Sequence, residues 1–317
     1  MNIVILDSYV ANPGDLGWDA LEALGTLTAW PRTAPGEVIE RCRGAEAVFT
    51  NKVVLSADTL AALPGLRFVG VLATGYNNVD TEAARRLGIT VCNVPAYSTD
   101  SVAQLVAALL LALTNRVTDY SASVARGDWA GCPDFSYTLG PITELAGKTM
   151  GIYGLGNIGL KVAAIAAALG MKVVSPTSKD ATALPPYVSK VRFDEMLAVS
   201  HVISVNAPLT DANRHIFNAD AFARMRRGVL FINTARGPLV DEDALSEALA
   251  SGQVGGAGID VLAQEPPRQG SPLIGAPNCI VTPHIAWESV EARRRLIDIS
   301  AANLKAFIAG HPQNVIV

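Results

Sequence analysis

Three polar residues, each just beyond an apolar run, have the types that proton transfer and anion binding need. Arg236 follows Phe231-Ile232-Asn233-Thr234-Ala235, Glu265 follows the run from Gly258 to Gln264, and His284 follows Ile280-Val281-Thr282-Pro283. A guanidinium can grip a carboxylate through two parallel N–H bonds and polarise the carbonyl beside it. An imidazole changes charge near neutral pH and can give that carbonyl oxygen a proton. A carboxylate bonded to the imidazole fixes its orientation and favours its charged form. Together the three suit reduction of a 2-keto acid. Taken singly, each has a plainer reading: a strand-end cap, a solvated loop before Pro266-Pro267, and a core histidine. His201 at the start of a strand, His215 on a helix and His311 in a C-terminal turn lack such company and read as structural.

The second chemical signal is Gly154-Leu155-Gly156-Asn157-Ile158-Gly159. An apolar strand leads into it from Thr149, and an Ala-rich helical run follows to Leu169. Gly154 permits a tight turn, Gly156 lets the backbone approach phosphates, and Gly159 lets helix and strand pack closely. A pyrophosphate would then sit at a helix N-terminus, where free N–H groups attract negative charge. Methyltransferases and chance turns also carry this spacing, so the flanking strand and helix are what favour a dinucleotide.

These residues need a scaffold that brings strand ends together. Strands are expected at Ile3–Leu6, Ala47–Thr50, Arg67–Leu72 and Thr90–Asn93, with helices at Trp18–Leu24, Ser56–Leu63 and Thr81–Leu87. Nearly all-apolar strands alternating with helices predict a parallel sheet covered on both faces. Ser98-Thr99-Asp100-Ser101 should cap one long helix from Val102 to Arg126, apolar enough to be buried between domains or subunits. A loop from Gly131 to Glu144 reads as a surface arm. A second series places strands near 149–153, 172–175, 202–206, 229–233, 257–261 and 279–282, then a helix from Ser289 to Ala309. The tail Val315-Ile316-Val317 can return to the first domain. The expected fold is α/β, two doubly wound parallel-sheet domains of Rossmann or flavodoxin-like type. Residues 1–99 and 288–317 would bind substrate and 100–287 would bind the dinucleotide. The active site is expected in the cleft between them, at the carboxyl ends of the strands.

The chain has 317 residues, half of them hydrophobic and 17% charged, which excludes a disordered protein. A net charge of −4 offers no general attraction to nucleic acid or an anionic membrane. The apolar run Leu105–Leu113 is too short to cross a bilayer, and the N-terminus reads as a strand rather than a leader. Cys42, Cys92, Cys132 and Cys279 lie far apart and fit buried, reduced thiols better than disulfides or a metal site. These features lead us to expect a cytoplasmic protein with no metal.

The chain as a whole resembles the D-isomer-specific 2-hydroxyacid dehydrogenase family. The matching segments run Ala73-Thr74-Gly75-Tyr76-Asn77-Asn78-Val79-Asp80, Ser101-Val102-Ala103-Gln104, Gly154–Gly159, Asn233 to Asp241, Asp260-Val261 through Glu265-Pro266, and Pro283-His284. The resemblance implies that Arg236 binds substrate, that Glu265 partners the histidine and that His284 is the acid/base. Backbone N–H groups around Thr74 and Gly75 would hold the substrate carboxylate, and Trp287 would wall the pocket or pack beneath the hinge. An NAD(P)(H) site is implied at Val102, Gly154, Leu155, Gly156, Asn157, Ile158, Gly159, Thr177, Ser178, Lys179, Asn206, Ala207, Pro208, Thr234, Ala235, Arg236, Asp260, His284 and Ala286.

Two positions depart from the family pattern. Thr177 stands where NAD-specific members place an aspartate, so a ribose hydroxyl loses its acceptor and a 2′-phosphate its repeller. With Ser178 and Lys179 adjacent, this tips the expectation slightly toward NADP(H). Asn206 replaces a common histidine and should alter hydrogen bonding to the cofactor without abolishing binding. His284-Ile285-Ala286-Trp287 resembles the ending of glycerate dehydrogenases and hydroxypyruvate or glyoxylate reductases. The expected reaction is hydroxypyruvate to D-glycerate, with glyoxylate as a second substrate. A D-lactate-type dehydrogenase is the alternative within the family. A dinucleotide-sensing, corepressor-like binding protein is the alternative of another class, and a methyltransferase is a weaker third. The apolar helix points to a homodimer.

Overall fold

The computed structural model describes residues 1–317, and the chain separates into two compact units, 1–98 with 287–317 and 99–286. The first unit holds five strands: β1 (Asn2–Ile5), β2 (Thr26–Ala29), β3 (Ala47–Thr50), β4 (Phe68–Val71) and β5 (Thr90–Cys92). They form a parallel sheet in the order β2-β1-β3-β4-β5. Side chains alternate across a strand, so the sheet has two apolar faces. One face packs Val4, Leu6, Val48, Val69 and Val71, while the other packs Ile3, Ile5, Ala47, Phe49 and Phe68. The helix Val290–Ile308 covers the second face with Leu296, Ala301 and Leu304. The tail returns along β5: Ile316 donates to the Val91 carbonyl at 2.7 Å, and Val91 donates to that of Val317 at 2.9 Å.

The second unit holds β6 (Thr149–Tyr153), β7 (Lys172–Ser175), β8 (Val188–Lys190), β9 (Val202–Val205), β10 (Val229–Asn233), β11 (Val254–Ile259) and β12 (Cys279–Val281). All pairs are parallel, in the order β12-β11-β10-β9-β6-β7-β8. Phe217, Phe222 and Phe231 stack edge-on at 5.1 and 5.4 Å on one face. The helices Thr99–Asn115 and Asn157–Ala168 close the other face, packing Val106 and Leu110 with Val162 and Ala166 over Ile152.

Several expectations need correction. The single helix from Val102 to Arg126 is two, Thr99–Asn115 and Val117–Ala125, bent by 56°. Arg116 between them adopts φ +52°, the left-handed region that no continuing helix allows. The first helix begins at Thr99, so the expected caps Thr99, Asp100 and Ser101 lie in its first turn. Strands β2 and β8 went unpredicted because both are short, polar edge strands with little apolar signal. His215 lies in a turn at φ +51° rather than on a helix. Of the four free cysteines, Cys42 and Cys92 are buried, but Cys132 and Cys279 are only half-buried. Burial pushes the Cys42, Cys92 and Cys279 thiols up to about 11. No single helix is long and apolar enough to cross a membrane.

Strand β11 reads Val-Gly-Gly-Ala-Gly-Ile, a weak strand sequence, and the expected start at residue 257 was three residues late. Gly256 and Gly258 are explained by the helix above, and Gly255 by the Gly228 carbonyl oxygen, 2.7 Å from where its Cβ would lie. A Cβ at Gly258 would lie 2.9 Å from the Leu109 Cβ, and one at Gly256 would lie 3.1 Å from Leu113 Cδ2. Replacing Gly258 with valine should therefore cost about 1–3 kcal/mol through overpacking. A urea midpoint equal to wild type would show that the helix does not need this close approach.

Candidate active site

Because every strand of the second unit runs the same way, the turns after β6, β7, β9, β10, β11 and β12 emerge at one edge of the sheet. Chain order reverses between β6 and β9, the position where such sheets bind ligands. The glycine turn leaves β6 there. Gly154 has φ +97°, and a Cβ on it would sit 2.4 Å from the Ala207 nitrogen, so the turn backs directly onto the Asn206-Ala207 segment after β9. A Cβ at Gly159 would sit 2.1 Å from the Gly154 carbonyl oxygen, which fixes helix against strand. At Gly156 the same construction meets nothing within 4 Å, leaving the backbone open.

This arrangement fits a dinucleotide. The helix Asn157–Ala168 starts without a side-chain cap, so its first N–H groups are available to phosphate oxygens. Asn206 donates from Nδ2 to the carbonyl and hydroxyl of Ser204, leaving Oδ1 buried without a partner. The Thr234 hydroxyl after β10 is likewise buried and unpaired. Buried polar atoms are costly when unpaired, and two at adjacent strand ends mark a surface that awaits a polar ligand. Leu155 and Ile158 turn their side chains into the core, and Val102 is 6% exposed in its helix. These three can meet a ligand mainly through backbone or packing.

After β7, Thr177 accepts from the Lys179 N–H at 3.2 Å, and Ser178 and Lys179 are exposed. Lys190, at the end of β8, donates from Nζ to the Lys179 carbonyl at 2.8 Å. Sequence reasoning missed this lysine because β8 itself was missed; only its pairing with Ser175 brings it to the turn.

Two of the three chemical residues meet directly. His284 Nδ1 lies 2.6 Å from Glu265 Oε2, and the other carboxylate oxygen accepts from the Leu262 N–H at 2.9 Å. Both side chains are about one-third exposed, 28% for His284 and 34% for Glu265, so the ring is anchored yet accessible. The carboxylate at Nδ1 leaves Nε2 as the nitrogen that can exchange a proton with a ligand. Arg236 is exposed, and its guanidinium donates to the Ala235 carbonyl at 2.6 Å. Its loop is nonetheless adjacent: a Cβ at Gly237 would lie 2.1 Å from the Leu262 carbonyl oxygen. Asn233 shapes that loop by accepting from Ala235 N–H and donating to the Arg236 carbonyl, both at 3.0 Å.

Asp260, just past β11, is 1% exposed and accepts from Thr282, Ile285 and Ala286. Burial raises its carboxyl above the usual range, and these hydrogen bonds oppose that rise. Ala286 is buried, and its carbonyl accepts from the Ser101 hydroxyl at 2.6 Å.

In the first unit, Thr74 and Gly75 follow β4. The Thr74 hydroxyl donates to the Val94 carbonyl at 2.9 Å, and its own carbonyl accepts from Asn93 Nδ2 at 2.6 Å. Trp287 packs edge-on to Tyr97 at 6.4 Å beside the core.

Comparison with known proteins supplies the lineage. The family described as "D-isomer specific 2-hydroxyacid dehydrogenase, NAD binding domain" matches residues 107–286. The chain belongs to that family. A hydroxypyruvate reductase from Blautia hydrogenotrophica is 45% identical over 320 aligned positions, covering 100% of this chain and 99% of the relative. A glycerate dehydrogenase from Methylorubrum extorquens is 45% identical over 284 positions, covering 89% and 88%. Among solved structures, the TT0316 protein from Thermus thermophilus superposes with a TM-score of 0.88 at 33% identity, with both chains fully covered. These likenesses match the expected family and the two parallel-sheet architecture.

Proposed function

We propose that this enzyme reduces hydroxypyruvate to D-glycerate, and glyoxylate as a second substrate, with a reduced nicotinamide dinucleotide. The observation that carries the reading is the 2.6 Å contact of His284 with Glu265 at the strand-end edge that also bears the glycine turn. The relatives named hydroxypyruvate reductase and glycerate dehydrogenase support the substrate. The nicotinamide, when bound, supplies the hydride.

The chain's own residues do the rest. Arg236 grips the substrate carboxylate and polarises the 2-keto group. His284 gives a proton from Nε2 to the carbonyl oxygen, and Glu265, on Nδ1, orients the ring. A His284→Ala enzyme should lose about 10²- to 10⁴-fold in kcat while binding cofactor normally. Wild-type kcat in a folded variant would remove His284 from this role.

The turn after β7 supports NADPH over NADH. Thr177, Ser178 and Lys179 offer hydroxyls and an ammonium, Lys190 adds a second ammonium, and no aspartate stands at 177 to repel a 2′-phosphate. Turnover of hydroxypyruvate with the two cofactors at equal concentration should favour NADPH; a strong NADH preference would refute this.

The apolar side chains around residues 117–142 support a homodimer. Val117, Trp129 and Ile142 are more than half exposed, and Phe135 is 91% exposed. A stable dimer buries about 1,600 Å² or more in total, and such an apolar stretch is the natural place for it. Light scattering at micromolar concentration should return twice the chain mass of 33.2 kDa; a monomer would contradict this.

A further inference from the structure

We propose that Glu242 is a positioning residue for the reaction: its side chain ties down both ends of the loop that carries Glu265. Oε1 accepts from the Ala263 N–H at 2.6 Å, and Oε2 accepts from the Ser271 hydroxyl at 2.6 Å. Residues 263–270 between these anchors are nearly all exposed, and their backbone bonds, Arg268 to Pro266 and Gly270 to Pro267, stay within the loop. Packing against the core therefore does little to fix Glu265. The neighbouring N–H groups of Leu262 and Ala263 go to different carboxylates, the first to Glu265 Oε1 at 2.9 Å and the second to Glu242. One short stretch of backbone thus couples the two acids.

Glu242 is itself held firmly. It is the first residue of the helix Glu242–Ala250, which buries Ala244, Leu245, Ala248 and Leu249 against the sheet. Asp241 caps that helix by accepting from the Ala244 N–H at 3.1 Å, so the Glu242 carboxylate is left to reach outward. A negative charge in a first helical turn is also favoured by the helix dipole. The loop before this helix carries Arg236, and it already abuts the same backbone: a Cβ at Gly237 would lie 2.4 Å from the Ala263 nitrogen. Hydrogen bonds from a rigid element to a loop hold a reacting group within the narrow limits that its chemistry needs. Glu242 acts on Glu265, and Glu265 acts on the His284 ring through Nδ1 at 2.6 Å.

This role rests on His284 being the proton donor and Glu265 its partner, as proposed above. Glu242→Ala should lower kcat about tenfold, a fraction of the roughly 10²-fold cost of misplacing a reacting group. Affinity for NADPH and NADH, measured by fluorescence titration, and KM for hydroxypyruvate should stay within about threefold of wild type. Glu242→Gln should restore kcat to within about threefold, because its amide oxygen still accepts from Ala263 and its nitrogen can donate to the Ser271 oxygen. In a Glu265→Ala background, Glu242→Ala should cost less than about twofold more, since the group it positions is gone. Wild-type kcat in Glu242→Ala would overturn the proposal. So would a further loss of about tenfold in the Glu265→Ala background, which would mark a role in the fold alone. Should Glu242→Ala fail to fold, Ser271→Ala decides: a loss of about threefold that vanishes without Glu265 supports the proposal, and wild-type kcat overturns it. A wild-type enzyme inactive on every keto acid tested would instead defeat the parent reading of function, and this role with it.

Discussion

Parallel strand direction is the constraint on which the site depends. A parallel sheet buried on both faces leaves polar side chains few places except the turns, and all turns that follow strands leave at the same edge. In the second unit this gathers the glycine turn after β6, the Asn206 segment after β9, Arg236 after β10, Asp260 and Glu265 after β11, and His284 after β12. Turns as far apart in the chain as those of Gly154 and His284 thus come to the same edge of the sheet without any long-range signal between them.

Close approach of backbones then sharpens the arrangement. Gly154 against Ala207, Gly159 against Gly154 and Gly237 against Leu262 are contacts where no side chain fits. The first and third press one strand-end turn onto another, and the second packs the helix onto the glycine turn of its own strand. Buried aspartates reinforce both units. Asp7, at the end of β1, accepts from the N–H groups of Asn51, Lys52 and Val53 at 2.8, 2.6 and 3.1 Å, as Asp260 does for the histidine segment. A carboxylate satisfied by several N–H donors can stay buried and stiffen the turn it serves.

Much of this was legible in the chain. Strands such as Ala47–Thr50 and Val229–Asn233 are short, apolar and bounded by polar turns, and their spacing announces a parallel α/β protein. The Gly154–Gly159 turn and the three polar residues beyond strand ends were visible for the same reason. Less legible were elements whose signal is not apolar. Edge strands β2 and β8 bury little, so their sequences look like loops, and Lys190 was lost with β8. The break at Arg116 lies inside a continuous helical pattern, because a single left-handed residue leaves no mark on hydrophobic periodicity. The start of strand β11 was missed because its glycines suit close approach of the helix above and of the Gly228 backbone rather than strand propensity.

The sequence by itself determined the fold class, the family and the residue types available for proton transfer, because hydrophobic spacing and motif order are local properties of the chain. Tertiary structure alone decided that Glu265 lies on Nδ1 of His284, that Asp260 is consumed by the segment around that histidine, and that Lys190 reaches the turn after β7. Those facts depend on strand register and on which backbone donors meet which carboxylate. Such distances emerge only when the sheet has closed, since residues far apart in sequence share no local pattern that encodes them.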